Sequence, residues 1–341
     1  LKILIVRVSS LGDVVHNMPM VSDLHRHFPG AQIDWVVEEA YVDLVRLHRD
    51  VRHVIPFALR RWRKSLWSAA TRAEIGDCFG RLRAEAYDYI FDTQGLFKTG
   101  ALMRIARRTP DGLRVGLANA TEGSGYEGLS RIFHDRSIPV GVHTHGVTRA
   151  REVAAAALDY ALDDTVDFRL GTPDPEPVPA CLPSTPYAML FHATARAAKQ
   201  WQPDGWVRVA RTLGERGIQV LLPWGSPAEQ ADARALAARM DHAQVLPRIT
   251  VMEAMALIRR ATLVIGVDTG LTHIAAALRR PTIELYCDSP RWKTEGFWSP
   301  NIINLGDTGA PPGVAEVEAA LIELTGTLGA TLQHTFFEEA E

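Results

Sequence analysis

The run LKILIVRVSSLGDVVHNMP places an aspartate, Asp13, directly after an apolar stretch and a Ser-Ser-Leu-Gly break. A carboxylate there can take the proton of an attacking hydroxyl. It can equally cap the helix that follows, because a first-turn acid compensates unpaired backbone N–H groups. A denser group lies in VDTGLTHIAAAL (267–278), where Asp268, Thr269 and Gly270 form a turn and Leu271, Thr272 and His273 open a helix. The N–H groups at that helix start, with the positive end of its dipole, suit a phosphate or diphosphate. Asp268 accepts rather than donates, so it suits sugar hydroxyls or the orientation of neighbouring groups. The plainer reading makes Asp268 and Thr272 a capping pair in a buried core. FHATARAAKQW (191–201) adds Thr194 and two cations, Arg196 and Lys199. They can stabilise charge developing on a departing diphosphate, or form a solvated basic loop. In LLPWGSPAEQADA (221–233), Glu229 suits ribose hydroxyls or a helix first turn, and Trp224 frames a base or fills a core.

ALRRWRKSLW (58–67) sets Arg60, Arg61, Arg63 and Lys64 among Trp62 and Trp67. On a helix, Arg60, Arg63, Lys64 and Trp67 fall on adjoining turns. The pattern fits an anionic interface, with tryptophans at an apolar boundary and arginines as bidentate ligands of phosphate or carboxylate. A solvated helix face is the alternative. The net charge is −3 and this is the single basic-aromatic block, which argues against nucleic acid. No G-x-G-x-x-G follows the first strand and no G-x-x-x-x-G-K-[ST] occurs, so hydride transfer and Walker-type ATP hydrolysis lack support. Cys78, Cys181 and Cys287 are odd in number and far apart, and His143 and His145 lack a Cys or carboxylate at ligand spacing. No metal is expected.

These residues need strands to deliver them. A chain of 341 residues is long enough for two cores. In the first half, apolar runs at 3–8, 32–39, 51–57, 87–92 and 114–117 alternate with helical segments, among them 96–108 and 147–162. GTPDPEPVPACLPSTP (171–186) is too rich in proline for sheet or helix and reads as a linker. The alternation then resumes, with strands at 187–194, 217–225, 243–247, 261–270 and 281–287. The expectation is an α/β protein of two doubly wound domains: residues 1–170, the 171–186 linker, residues 187–312, and a final segment, 313–341, whose helix packs back across the seam. No apolar run reaches transmembrane length and no leader pattern precedes the first strand, so a cytosolic protein is expected.

The blocks ILIVRVSSLGDVVHNMP, WVVEE, VIPFALRRWRK, FDTQGLFKTGAL, FHATARAAKQW, LLPWGSPAE and VDTGLTHIAAAL resemble, in order and over about 300 residues, the ADP-heptose family of lipopolysaccharide heptosyltransferases, in particular heptosyltransferase I. The resemblance implies a GT-B architecture, two Rossmann-like domains facing across a cleft. It implies an inverting transfer of L-glycero-D-manno-heptose from ADP-heptose to the inner Kdo of Kdo2-lipid A, without a cofactor or metal, at the cytoplasmic face of the inner membrane. A transferase adding a later heptose, or a nucleotide-sugar epimerase or hydrolase of the same architecture, is the alternative. Asp13 would be the general base. Thr194, Lys199 and the Thr269–Gly270–Leu271 turn would hold the diphosphate, Asp268 and His273 would line the heptose side, and Glu229 would hold the ribose. Gln94 in FDTQG, with Arg60, Arg61, Arg63 and Lys64, would face the acceptor. Ala195 stands where relatives often carry a second Thr or Ser, and block 118–140 departs from the family pattern.

Overall fold

The computed structural model describes residues 1–194 and 196–338, with side chains described to residue 326. Ala195 lies outside the described residues. The chain divides into two compact units, Leu1–Pro173 and Asp174–Glu341, and the division falls inside the proline-rich stretch.

Six parallel strands build the first unit: β1 (Lys2–Val6), β2 (Gln32–Glu38), β3 (Val51–Phe57), β4 (Ala86–Asp92), β5 (Arg107–Leu117) and β6 (Arg136–Ile138). Their order across the sheet is β3-β2-β1-β4-β5-β6. The second unit repeats this plan with β7 (Tyr187–Phe191), β8 (Gln219–Leu222), β9 (Ala243–Val245), β10 (Leu263–Val267), β11 (Thr282–Tyr286) and β12 (Ile302–Gly306), ordered β12-β11-β10-β7-β8-β9. Helices cover the faces, so the central strands are apolar along their whole length rather than alternating. Ile3, Leu4, Ile5 and Val6 of β1 are fully buried, as are Leu263, Val264, Ile265 and Val267 of β10.

Several segments differ from the sequence expectation. The helix expected over 96–108 is Phe97–Ile105, and Arg107 and Arg108 already belong to the long strand β5. The helix Ala69–Ala84 had no counterpart, because two glycines and a run of polar residues hide its single buried stripe of Thr71, Cys78 and Leu82. Within the second unit, apart from these differences, Val317, Ala320, Leu321 and Leu324 of the final helix, Val314–Glu338, pack with Val209, Leu213 and Leu285.

In each sheet the strand order reverses beside the first strand, between β1 and β4 and between β7 and β10. The loops leaving those two strands diverge to opposite faces, and that crevice is where open α/β sheets bind ligands. Asp13, Gln94, Thr194, Arg196, Lys199, Asp268 and His273 follow β1, β4, β7 and β10, whereas Trp224 and Glu229 follow β8 and the basic segment follows β3.

Candidate active site

In the first unit, Asp13 sits in the first turn of the helix Leu11–His16. Its Oδ2 accepts from the Ser10 N–H at 3.0 Å and the Ser10 hydroxyl at 2.8 Å, while Oδ1 lies 2.6 Å from an Arg7 guanidinium nitrogen. The capping reading and the chemical reading therefore coexist. Asp13 closes the helix start, yet its side chain keeps 43% of its surface open, whereas Arg7 keeps 5%. Arg7 also donates to the Thr93 carbonyl at 2.5 Å, after β4. Burial pushes the Asp13 carboxyl up, but the Arg7 charge, the Ser10 bonds and the Arg149 charge together hold it far below the usual carboxylate range. Arg149 is itself buried and bonded to the Thr121 hydroxyl at 2.8 Å, and burial beside the Arg7 charge lowers its pKa to about 10.

Gln94 joins the two loops of this crevice. Its side-chain oxygen accepts from the Val8 N–H at 3.0 Å and its amide donates to the Ser9 hydroxyl at 3.3 Å. Gln94 thus positions the Ser-Ser-Leu-Gly-Asp turn. Asp92, the other acid of this region, is fully buried and receives the Gln94 and Gly95 N–H groups and the Thr99 hydroxyl at 2.9, 3.0 and 2.9 Å. A carboxylate so enclosed organises the loop and has no path to a substrate proton. Burial raises its pKa to about 6 against the opposing bonds from Gly95, Gln94 and Thr99. The folded chain therefore holds this proton longer than the unfolded one, and the Asp92 contribution to stability falls as pH rises from about 4 to about 6. Asp92→Asn keeps a carbonyl for the two N–H groups and removes the titration. The stability of the wild type relative to D92N, measured by denaturant unfolding, is expected to decline across that window and to be level above it.

The basic segment divides in two. Arg61 is held between Glu39 and Glu74, at 2.9 and 2.7 Å. Trp62 is buried, donates to Glu74 at 2.9 Å and stacks edge-on against Phe57, so it belongs to the core and not to an apolar boundary. Arg60, Arg63, Lys64 and Trp67 remain exposed, Trp67 at 91%. The helix here is only Leu59–Trp62, so Arg63 and Lys64 lie in the turn beyond it. The charges of Arg60 and Arg63 act on Lys98, and those of Arg60 and Asp13 act on Tyr41. Arg60 therefore belongs to the same electrostatic neighbourhood as the Asp13 turn.

In the second unit Lys199 and Asp268 pair directly, joining the loop after β7 to the turn after β10. The other Asp268 oxygen lies 3.0 Å from His273 Nε2 and accepts from the Thr294 hydroxyl at 3.4 Å. Burial pushes Asp268 up, but His273 and Lys199 hold it far below the ordinary range. Asp268 therefore orients Lys199 and His273. The Thr272 hydroxyl donates back to the Val267 carbonyl at 2.8 Å, so Asp268 and Thr272 are not a capping pair. Thr269, Gly270 and Leu271 at the helix start remain partly exposed. Gly266 lets this helix close on the sheet, since a Cβ there would lie 2.1 Å from the Thr272 hydroxyl oxygen.

Glu229 turns one carboxylate oxygen back to the Gly225 N–H at 2.7 Å, and Trp224 donates to the Leu246 carbonyl at 2.7 Å while staying partly exposed. Arg196 is exposed and Thr194 partly so. His143 meets Glu122 at 3.0 Å, a carboxylate the linear spacing concealed, and His145 Nδ1 accepts from the Val147 N–H at its helix start. Among the described residues, no three His, Cys, Asp or Glu side chains gather as a metal site.

Sequence reasoning passed over Arg7, Arg149 and Glu284. For Arg7 and Glu284 a signal existed: each is one charge inside an otherwise apolar strand run, ILIVRVSS and PTIELYC. A lone charge there needs a buried partner.

Two Rossmann-like units with parallel sheets, each carrying charged groups at its strand-order reversal, are the build of the GT-B fold. The model of glycosyltransferase family 9 (heptosyltransferase) matches residues 76–319. Lipopolysaccharide heptosyltransferase 1 of Pseudomonas aeruginosa is 40% identical over 287 residues, covering 84% of this chain and 78% of the relative. The solved structure of the E. coli heptosyltransferase WaaC with ADP superposes with a TM-score of 0.80 at 31% identity, over 95% of this chain and 100% of that one. The same enzyme with ADP-2-deoxy-2-fluoro heptose gives 0.76 at 33% identity, over 95% and 99%. The chain belongs to glycosyltransferase family 9, the heptosyltransferases.

Proposed function

We propose that this chain transfers L-glycero-D-manno-heptose from ADP-heptose to the inner Kdo of Kdo2-lipid A, with inversion, as a heptosyltransferase I. The observation that carries the reading is the Lys199–Asp268–His273 cluster beside an open helix start at the second unit's strand-order reversal. Cationic donors and helix N–H groups there suit a nucleoside diphosphate, and the solved relatives carry ADP or an ADP-heptose analogue. An inverting transfer also needs a base at the acceptor hydroxyl, which the partly open Asp13 supplies. The hydroxyl oxygen forms its bond to the anomeric carbon, the bond to the diphosphate oxygen breaks, and the hydroxyl proton passes to Asp13. Because Asp13 is held strongly acidic, it takes that proton only as the attacking hydroxyl gains positive character.

The test is product analysis with ADP-heptose, with and without Kdo2-lipid A, following ADP release and acceptor mass. Acceptor-dependent ADP release with a one-heptose mass gain supports the reading. Rapid donor turnover without acceptor would replace it with a hydrolase or epimerase, and transfer only to an already heptosylated acceptor would make it a later-acting transferase.

The acceptor is an anionic glycolipid, and we assign Arg60, Arg63 and Lys64, with the exposed Trp67, to that headgroup and the anionic cytoplasmic membrane face. Among the described residues no helix is long and apolar enough to cross a membrane. Each basic side chain contributes about 1 kcal/mol near an anionic surface. Neutralising these three is expected to weaken binding to anionic vesicles by roughly 100-fold and to raise the acceptor KM, with ADP affinity unchanged. Loss of ADP affinity alone would refute the assignment. Arg61→Ala is expected instead to lower stability, because it unties Glu39 and Glu74.

A further inference from the structure

We propose that Glu284 is a positioning residue of the donor site, fixing His273 as a two-proton donor and, through it, holding Asp268 and Lys199 in place. The inference rests on the second unit binding the nucleotide and adds what sets that cluster's charge. His273 is buried on the helix Gly270–Ala277, with a carboxylate oxygen facing each ring nitrogen: Asp268 3.0 Å from Nε2 and Glu284 3.3 Å from Nδ1. A neutral imidazole has one N–H, so one of these contacts would set a nitrogen lone pair against an anionic oxygen. With both carboxylates ionised, only the imidazolium satisfies both.

Glu284 is 0% exposed, and its second oxygen is anchored by the Tyr286 hydroxyl at 3.0 Å and the Gly296 N–H at 2.8 Å. Turning away from the ring would break both of these bonds. The result is an alternating row, Glu284, His273, Asp268 and Lys199, running from the sheet interior to the partly exposed lysine. The neighbouring helix Val251–Arg260 adds no counter-charge to the ring: its buried side is Ala254, Met255, Ala256, Leu257 and Ile258. Its ionisable groups are engaged elsewhere, Glu253 with Thr250 and Arg259 and Arg260 with Glu176. Burial by itself would drive the ring neutral, but the bonds from Asp268 and Glu284 and their charges raise its pKa to about 10.

Glu284→Gln separates charge from shape. The glutamine oxygen retains the Tyr286 and Gly296 donors, and its NH₂ turns to His273 Nδ1, which then accepts, leaving a neutral ring with its proton on Nε2 toward Asp268. ADP binding by calorimetry from pH 7 to pH 9, above the second ionisation of the ADP phosphate, is expected to be level for the wild type. For E284Q the affinity is expected to fall with rising pH by about tenfold, the change produced by one unit of pKa difference between free and bound states. Nitrogen-15 NMR of the ring, assigned with H273N, is expected to show the wild-type imidazolium persisting through pH 9 and a ring titrating below about pH 8 in E284Q. Equal, pH-independent ADP binding by both proteins would overturn the proposal, as would a wild-type ring titrating near the ordinary value of about 6.5. Should E284Q not fold, the wild-type ring titration decides alone. Absence of ADP binding by the wild type would remove the donor reading, while the ring titration would still judge Glu284.

Discussion

Asp13→Asn is expected to lose roughly 10²–10⁴-fold in turnover at saturating donor and acceptor, the range for removal of a general base. Donor affinity is expected to stay at the wild-type value, since the phosphate-side groups belong to the second unit. From the sequence, asparagine looks harmless to the fold because it caps helices about as well as aspartate. The structure changes that expectation. The two Asp13 oxygens serve different donors, Ser10 on one side and the buried Arg7 on the other. Asparagine has one acceptor oxygen and can serve either. D13N is therefore expected to lose about 1 kcal/mol of stability, the Arg7 contact being partly screened by solvent and Arg7 keeping the Thr93 carbonyl. Turnover must be read below the lowered thermal midpoint. A folded D13N with full turnover would remove Asp13 from the mechanism and leave it a helix cap.

Lys199→Ala is expected to reduce turnover by roughly 100-fold, the scale for deleting one preorganised donor to developing charge, with weakened ADP binding. Lys199 is the outermost member of the buried charge row, and 18% of its side chain is open where Asp268 keeps 9%. Removing one partner of a buried pair ordinarily destabilises by ~3–5 kcal/mol. Here Asp268 keeps the His273 imidazolium and the Thr294 hydroxyl, so the stability loss is expected to be well below that range. Calorimetry with ADP and steady-state kinetics test the pair of effects. Unchanged ADP affinity and turnover would exclude a phosphate contact and leave Lys199 as the counter-ion of Asp268.

The strands were legible because they are buried on both faces. Uninterrupted apolar runs such as ILIV and LVIGV, each ending in a glycine-containing turn, marked the central strands and the loops that carry Asp13 and Asp268. The helix Ala69–Ala84 and the short strand β6 lacked such a signal, one for want of an apolar stripe and the other for want of length. The candidate site was legible by residue but not by partnership. Lys199 and Asp268 are 69 positions apart, and nothing in either local sequence says that they meet. The same holds for Arg61, whose two carboxylates come from separate elements, and for Glu284, which touches His273 only because parallel β10 and β11 bring their following and internal residues together.

The strand order carries a consequence for how the chain is made. The first strand synthesised in each unit becomes a central one: β1 is flanked at once by β2, but its other edge waits for β4, about 80 residues later. At ordinary ribosomal speed that interval is on the order of 10 s. Throughout it the emerging polypeptide displays the unpaired edge of a fully apolar strand, Ile3–Val6, the kind of edge that templates intermolecular pairing. The second unit meets the same interval between β7 and β10. Each half of the molecule thus leaves one edge of its first strand without its neighbour until the fourth strand of that half has emerged.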